Sequence, residues 1–358
     1  MKAKTAVSFP NQGLLKWYEG AKRNLPWRET KDPYRIWLSE IILQQTRVEQ
    51  GMPYYERFVE TFPKVHDLAN ASEDEVLKLW EGLGYYSRAR NLHTTAKYAS
   101  QNLKGEFPNT HAALLELKGV GPYTAAAIGS IAFNLPVAAV DGNVYRVLAR
   151  YFGITESIDE TSVKKQIADL AQSILDTERA GDHNQAMMEL GATVCTPKQP
   201  DCKGCPLHES CVALKQQVQL ELPVRTKKIK VRNRYFYYVV HVVDGQVPIH
   251  RRGEGDIWQG LYEFTLHESE KALNEKQILK LIDVVENDVV ESISEEFKHV
   301  LSHQRIYSRF VLLKSESKPN LNGKWVSVAE LRNFAFPRLI NRYLDSKNFV
   351  ISEEVSNI

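Results

Sequence analysis

LKGVGPYTAAAIGSIA, residues 117–132, is the stretch on which the reading of the fold turns. Leu117 ends one helical segment, Gly119-Val120-Gly121 allow a tight reversal, and an apolar helix runs on from Tyr123 to Phe133. A hairpin of this kind leaves the backbone N–H groups at the start of its second helix pointing outward, a good seat for a phosphate. Gly-x-Gly between helices also occurs as a plain turn, so the neighbouring residues have to decide between the two. Beyond the hairpin, VAAVDGNVYRVLAR (137–150) opens another helix with Asp141 and Asn143 at its entry. A carboxylate there can cap the helix; downstream of a phosphate seat it is also a candidate catalytic group.

Further along, all the cysteines of the chain fall between 195 and 211: Cys195, Cys202, Cys205 and Cys211, spaced C-x6-C-x2-C-x5-C. Four thiolates suit a closed tetrahedral zinc site or an iron–sulfur cluster. Zinc modules commonly carry two close Cys pairs, and here the only close pair is Cys202-x2-Cys205; coordination chemistry by itself leaves both open. Two disulfides of a secreted domain would fit the even count, but MKAKTAVSFPNQG at the start lacks the apolar core of a secretory signal, which argues against them.

Length and composition set the frame. A chain of 358 residues suits two domains, and 43% hydrophobic with 25% charged residues is ordinary for a globular protein. The formal charge of +2 excludes a bulk polycation, so any nucleic acid must be held by local basic patches and oriented amides. No apolar run approaches the roughly 20 residues that span a bilayer. The expected location is the cytoplasm, beside the nucleoid in a bacterium, or the nucleus in a eukaryote, where thiols stay reduced.

Residues 1 to about 216 read as helical, with patches at Tyr34–Arg47, Ser72–Trp80, Ser87–Asn102, Thr110–Leu117, Tyr123–Phe133, Val144–Phe152 and His183–Val194. Short joints with Gly or Pro separate them, which predicts a helical bundle. From about Gln216 the texture changes to a basic stretch with Pro223, read as an extended linker whose charge suits a phosphate-tracking strap or simply solvent. Beyond Arg234 the chain becomes strand-like: YFYYVVHVV (235–243), an Asp244-Gly245 turn, Arg305–Lys314 and Trp325–Val328. Helical segments Lys271–Ile282 and Pro337–Leu344 interrupt them, which predicts a mixed α/β domain.

Within the first helix, Glu40 stands among Ile36, Trp37, Leu38, Ile41, Ile42 and Leu43. A carboxyl that is poorly hydrated resists ionisation, which is the state a general acid needs near neutrality. A buried Glu paired with an arginine would show the same pattern.

At this point whole segments resemble a known family. WLSEIILQQT (37–46), WEGLGYYSRARNL (80–92), NLPWR (24–28), VDGNVYRVLAR (140–150) and NQAMMELGATVCTPKQPDC (184–202) are similar to stretches of the MutY adenine glycosylases, within the endonuclease III superfamily. The resemblance implies a monofunctional glycosylase that hydrolyses the bond to adenine mispaired with 8-oxoguanine or guanine, a monomer on double-stranded DNA. It implies a [4Fe–4S] cluster on the four cysteines. It implies an all-α helix-hairpin-helix glycosylase domain over 1–216 (a six-helix barrel at about 28–135; a cluster part of 1–27 with 136–216). A basic linker at 217–233 and an α/β MutT-like, or Nudix-like, domain at 234–358 complete the chain.

The same resemblance assigns roles. Glu40 would protonate adenine and Asp141 stabilise the oxocarbenium-like sugar, as in glycoside hydrolysis. Asn143 would position water or backbone, and Tyr123 would sit beside Glu40. In the endonuclease III branch the hairpin position of Tyr123 carries a lysine that attacks the sugar; a phenol cannot form that Schiff base. Trp27, Arg28 and Gln185 would line the adenine pocket. Gln45 and Tyr85 would fill the gap left by the extruded base, with Thr46 and Leu83 near the orphaned partner. Lys118, Gly119 and Gly121 would meet phosphate. In the C-terminal half, GDIWQGLYEF (255–264) and HVLSHQRI (299–306) resemble the 8-oxoguanine recognition domain, with Ser302 and His303 as contacts. The family usually has Phe-Ser-His where this chain has Leu301-Ser302-His303. The residues after Phe264 lack the Arg-Glu…Glu-Glu helix of a pyrophosphatase. Competing readings are a glycosylase with strand-cutting activity and a non-catalytic binder of damaged DNA.

Overall fold

The structure is a computed structural model that describes residues 9–226, 230–282, 284 and 288–346. They divide into two compact units: 9–70 with 91–226, and 71–90 with 230–346.

The first unit is helical. Asp32 accepts a hydrogen bond from the Tyr34 amide at 2.9 Å and starts the Pro33–Ile42 helix, with Pro33 in the first turn where its missing N–H costs nothing. Eight of the ten residues of that helix are buried, Glu40 among them. The sequence predicts this helix to run on to Arg47; it stops at Ile42 because Gln45 adopts the left-handed conformation, φ 56°. The periodicity reading gives no helix at Asn11–Ala21, Val48–Thr61 or Thr161–Ile174, yet the structure forms all three. Asn11–Ala21 and Thr161–Ile174 supply Leu14, Tyr18, Val163 and Ile167 to a core shared with Val147, Leu148 and Leu190.

Helix packing defines where the site falls. Pro33–Ile42 packs on Pro122–Phe133, and Ala180–Thr193 packs on Gly142–Phe152, on Pro122–Phe133 and on Asn11–Ala21. One of these contacts depends on a glycine. A Cβ on Gly191 would lie 2.6 Å from the Asn143 Cβ and 3.0 Å from its carbonyl oxygen, so only glycine lets the two helices close at this point. At the hairpin, Gly119 has φ 80° and a Cβ there would meet Asn91 at 2.8 Å. Of the basic stretch 217–233, residues 227–229 lie outside the described residues. The part before them is held to this unit, with Leu222 accepting from Arg150 Nε at 2.9 Å and Val224 accepting from the Ile158 amide at 3.0 Å.

In the second unit, the long strands Arg232–Val242 and Gln304–Ser315 pair in parallel, from Arg232↔Gln304 to Val242↔Lys314. Thr265–Ser269 flanks the first antiparallel; Asp288–Ile293 and Phe297–Val300 flank the second. A three-stranded sheet carries Gln246–Arg251 between Tyr262–Glu263 and Lys324–Ser327. Asp244 and Gly245, both at positive φ, make the hairpin turn read from the sequence. Alternation along Arg232–Val242 sends Phe236, Tyr238 and Val240 into one core and Tyr237 and Val239 into another. The predicted Lys271–Ile282 helix is shorter, Glu275–Leu281, because Asn274 closes a capping box with Gln277. Residues 71–90 contribute the Glu73–Leu79 helix and the loop after it; Arg251 pairs with Asp74 at 2.6 Å, and Glu81 accepts from the Phe336 amide at 2.9 Å.

Candidate functional site

A cavity of about 710 Å³ opens in the first unit. It is bounded by Trp27, Arg28, Glu40, Gln45, Thr46, Tyr123, Asp141, Asn143 and Gln185, all of the pocket, wedge and catalytic candidates that fall in this unit. They come from five separate stretches of chain, brought together largely by the helix contacts above.

Of the carboxyl groups that line this cavity, Glu40 and Asp141 stand in different surroundings. Burial pushes Glu40 up to about 7; the Tyr123 phenol and the Arg28 charge pull it down, and the Asp141 charge pushes it further up. Tyr123 is itself raised well above a phenol's usual range by burial and by the two carboxyls, and its hydroxyl lies 3.2 Å from the Met188 sulfur. Burial also raises Asp141, but donors to its charged form oppose that: the Val144 amide at 2.8 Å and Asn143 Nδ2 at 2.8 Å. Asp141 is therefore both the N-cap of Gly142–Phe152 and a wall of the cavity. Glu40 has a preference for its proton that Asp141 has means to resist.

Asn143 is fixed in turn. Its Oδ1 accepts from Arg146 Nη2 at 2.8 Å, and the same guanidinium reaches Gly191 O at 2.7 Å and Cys195 O at 2.7 Å. The carboxylate end of the site is thus joined by hydrogen bonds to the start of the cysteine loop.

All four cysteines are free and line one further cavity with Arg150, His208 and Leu214. Among the described residues no three Asp, Glu, His or Cys side chains converge closely enough to chelate a single metal ion. The thiols surround a space instead of a point. Burial raises Cys205 to about 11 and also raises Cys202 and Cys211, with the neighbouring cysteines adding to each. Backbone amides of Leu207, Ala213 and Leu214 donate to sulfur, and Arg150 Nη1 lies 3.3 Å from Cys195 Sγ. Four soft donors that repel one another as anions, three of them already provided with N–H partners, fit a multinuclear cationic cluster.

At the hairpin, Gly121 is the N-cap of Pro122–Phe133 with no side chain capping it, and Lys118, Gly119 and Gly121 are exposed. In the second unit Tyr85 is 45% exposed at φ 49°, a conformation uncommon for a residue with a side chain. Its hydroxyl is 2.7 Å from Ser302 Oγ. Ser302 and His303 are exposed at the tip between strands Phe297–Val300 and Gln304–Ser315, whereas Leu83 is buried. Arg23, Arg146, Met188 and Glu189 also line the main cavity and are not singled out by the sequence reading. One signal was present: Glu189 stands one helical turn beyond Gln185 and interrupts the apolar run of Ala186, Met187, Met188 and Leu190.

Residues 38–173 match the HhH-GPD superfamily of base excision DNA repair proteins, and residues 236–346 match the NUDIX domain. The helical unit resembles a solved thermostable thymine-DNA glycosylase at 29% identity and a TM-score of 0.52, over 57% of this chain and 95% of that one. An adenine DNA glycosylase of Buchnera aphidicola subsp. Schizaphis graminum is 31% identical over 347 residues, 94% of this chain and 97% of its own length. One from Mus musculus is 47% identical over 222 residues, 60% of this chain and 43% of its own length. The fold and site define a helix-hairpin-helix base-excision protein with a C-terminal α/β Nudix-like domain. The chain belongs to the adenine DNA glycosylase family. Among the described residues no helix is long and apolar enough to cross a membrane.

Proposed function

We propose that this chain hydrolyses the N-glycosidic bond of adenine in double-stranded DNA, opposite 8-oxoguanine or guanine, and leaves the strand uncut. The observation that carries this is the pair of carboxyl groups on one cavity, Glu40 buried in a helix that is mostly apolar and Asp141 accepting hydrogen bonds from the Val144 amide and Asn143 Nδ2. Glu40 donates its proton to adenine N7, so the base leaves as a neutral molecule. Asp141 faces the sugar and offsets the positive charge that develops there. Asn143, locked by Arg146, orients Asp141 and the incoming water. Tyr123 holds Glu40 in place and offers no amine, so no Schiff base forms and the backbone stays intact.

Trp27, Arg28 and Gln185 enclose the extruded base. Gln45 and Tyr85 enter the vacated stack; both are held at positive φ, which costs about 1–3 kcal/mol each and is seldom kept without a use. Thr46 and Leu83 lie toward the orphaned base, Ser302 and His303 read its oxidised edge, and Lys118 with the amides after Gly119 and Gly121 seats a phosphate. The cysteines Cys195, Cys202, Cys205 and Cys211 hold a [4Fe–4S] cluster. When bound, that cluster supplies iron–thiolate bonds that tie the 195–211 loop to the helical body. On this reading 1–216 is the glycosylase domain, 217–233 a basic linker and 234–358 the lesion-reading domain of a monomer that works in the cytoplasm or nucleus.

Single-turnover reaction on a labelled duplex with adenine opposite 8-oxoguanine tests this, with A:T and thymine-glycol duplexes as controls. Cleavage of the adenine strand only after alkali is expected. Cleavage without alkali, together with a borohydride-trapped complex, would show strand-cutting chemistry instead. Binding with no base release at all would leave a damage binder.

A further inference from the structure

Glu189 is the one carboxylate at the main cavity with no exposure at all, its side chain being 0% accessible. Both its oxygens are occupied by the segment from Arg23 to Arg28, which follows the Asn11–Ala21 helix and ends in the Pro26–Arg28 turn. Oε1 accepts from the Arg23 amide at 3.0 Å and from Arg23 Nε at 2.8 Å. Oε2 accepts from Arg23 Nη2 at 2.8 Å and from Arg28 Nη2 at 2.7 Å. Burial alone would raise this carboxyl, but the hydrogen bonds from Arg23 and Arg28 hold it at about 2. The residues from Lys22 to Leu25 have no regular structure of their own; besides these bonds they are held by the Lys22 amide donating to Tyr18 O at 2.9 Å, by burial of Leu25, and by Arg28, which donates to Arg23 O at 3.2 Å and lies 5.6 Å over the Tyr18 ring.

We infer that Glu189 is a positioning residue of the base pocket: it clamps Arg23 and Arg28 into one wall and half-neutralises the two charges beside the leaving base. This rests on the adenine glycosylase reading and extends it. The chemical reason is the sign of the charge that moves. Protonating adenine brings positive charge into the cavity, which two uncompensated guanidiniums would oppose; a carboxylate buried between them lowers that opposition. The same compensation acts on Glu40. The groups that act on it are the Asp141 carboxyl, the Arg28 charge and the Tyr123 phenol. Arg23, Arg47, Glu49 and Arg146 are the other charged residues around the cavity. Without Glu189, the field of Arg28 falls on Glu40 undiminished and favours loss of its proton.

The test is Glu189→Gln, which keeps shape and removes charge, beside Glu189→Asp, which keeps charge. Single-turnover base release should fall roughly 10- to 100-fold in Glu189→Gln. The high-pH limb of its profile should move to lower pH, because an uncompensated cation stabilises the charged form of Glu40. Glu189→Asp should recover part of the rate, and adding Arg28→Gln to Glu189→Gln should return the limb toward its original position. An unchanged limb in Glu189→Gln overturns the electrostatic role, even where the rate falls with the melting temperature. Hydrogen exchange of residues 22–29 gives a readout independent of activity: faster exchange in Glu189→Gln confined to that segment is expected, and unchanged exchange overturns the clamp. A wild-type protein that does not release adenine would sink the functional reading, while the exchange measurement would still decide the clamp.

Discussion

The base pocket and the hairpin tip at 301–303 are both proposed to read DNA, and they are built in opposite ways. In the pocket Asp141, Asn143 and Glu189 are buried or half-buried and tied by hydrogen bonds to other side chains: Asp141 to Asn143, Asn143 to Arg146, Glu189 to Arg23 and Arg28. At the tip, Ser302 and His303 are exposed, and the Ser302 hydroxyl has one long-range partner, Tyr85 at 2.7 Å. A group that must stabilise a transition state gains from being fixed in advance in a dry cavity. A group that recognises a base from solvent exchanges water for ligand and contributes about 1 kcal/mol. Substitutions in the pocket should therefore act on the chemical step, and substitutions at the tip on the choice of partner base.

The largest effect expected is that of Glu40→Gln. Base release should fall by about 10²–10⁴-fold while duplex binding is kept. Wild-type rate should decline as pH rises through about 7, where Glu40 loses its proton. Stability follows the same sign. A carboxyl whose folded pKa lies above its unfolded value favours the fold at low pH, and that advantage is lost as pH rises through about 7. At pH 8 Glu40→Gln should thus be more stable than wild type, by about 3 kcal/mol at most, and at pH 4 little different. Melting curves at the two pH values measure this; a variant less stable at pH 8 would contradict the burial of an acid held for catalysis.

A smaller effect should come from Gly191→Ala. Its methyl would sit 2.6 Å from the Asn143 Cβ, forcing apart the helices that hold Asp141 and Gln185. A loss of about 1–3 kcal/mol in stability is expected. Base release should drop further than that loss of folded protein explains. Equal activity per folded molecule would show that the pocket tolerates looser packing than the comparison implies.

The smallest belongs to the tip. Ser302→Ala should change the preference for 8-oxoguanine over guanine by only about fivefold. The rate on an A:G duplex should stay within error of wild type. A loss of base release on both duplexes would place Ser302, and with it Tyr85, inside the chemical step and end the distinction between the two regions.

Much of this could be read from local sequence. Asp32-Pro33 as a helix entry, Ser72 with Glu75 as a capping box, the Asp244-Gly245 turn and the Asp141 cap are each set by residues a few positions apart. The Gly-x-Gly hairpin and the cysteine spacing are likewise written along the chain, and their chemistry comes from residue type. The helices at Val48–Thr61 and Thr161–Ile174 were not legible, because their apolar faces become meaningful only against their partners.

What the sequence by itself determined is which groups exist, on which elements, and the family they belong to. Tertiary structure alone decided their charge and aim. The Glu40 carboxyl is pushed up to about 7 because neighbouring helices bury it, with the Asp141 charge adding to the effect. Glu189 meets Arg23 and Arg28 across more than 160 positions of chain. Gly191 admits Asn143 only once two helices cross there. Periodicity and capping are local properties, whereas desolvation and ion pairing depend on what the fold brings within a few ångströms.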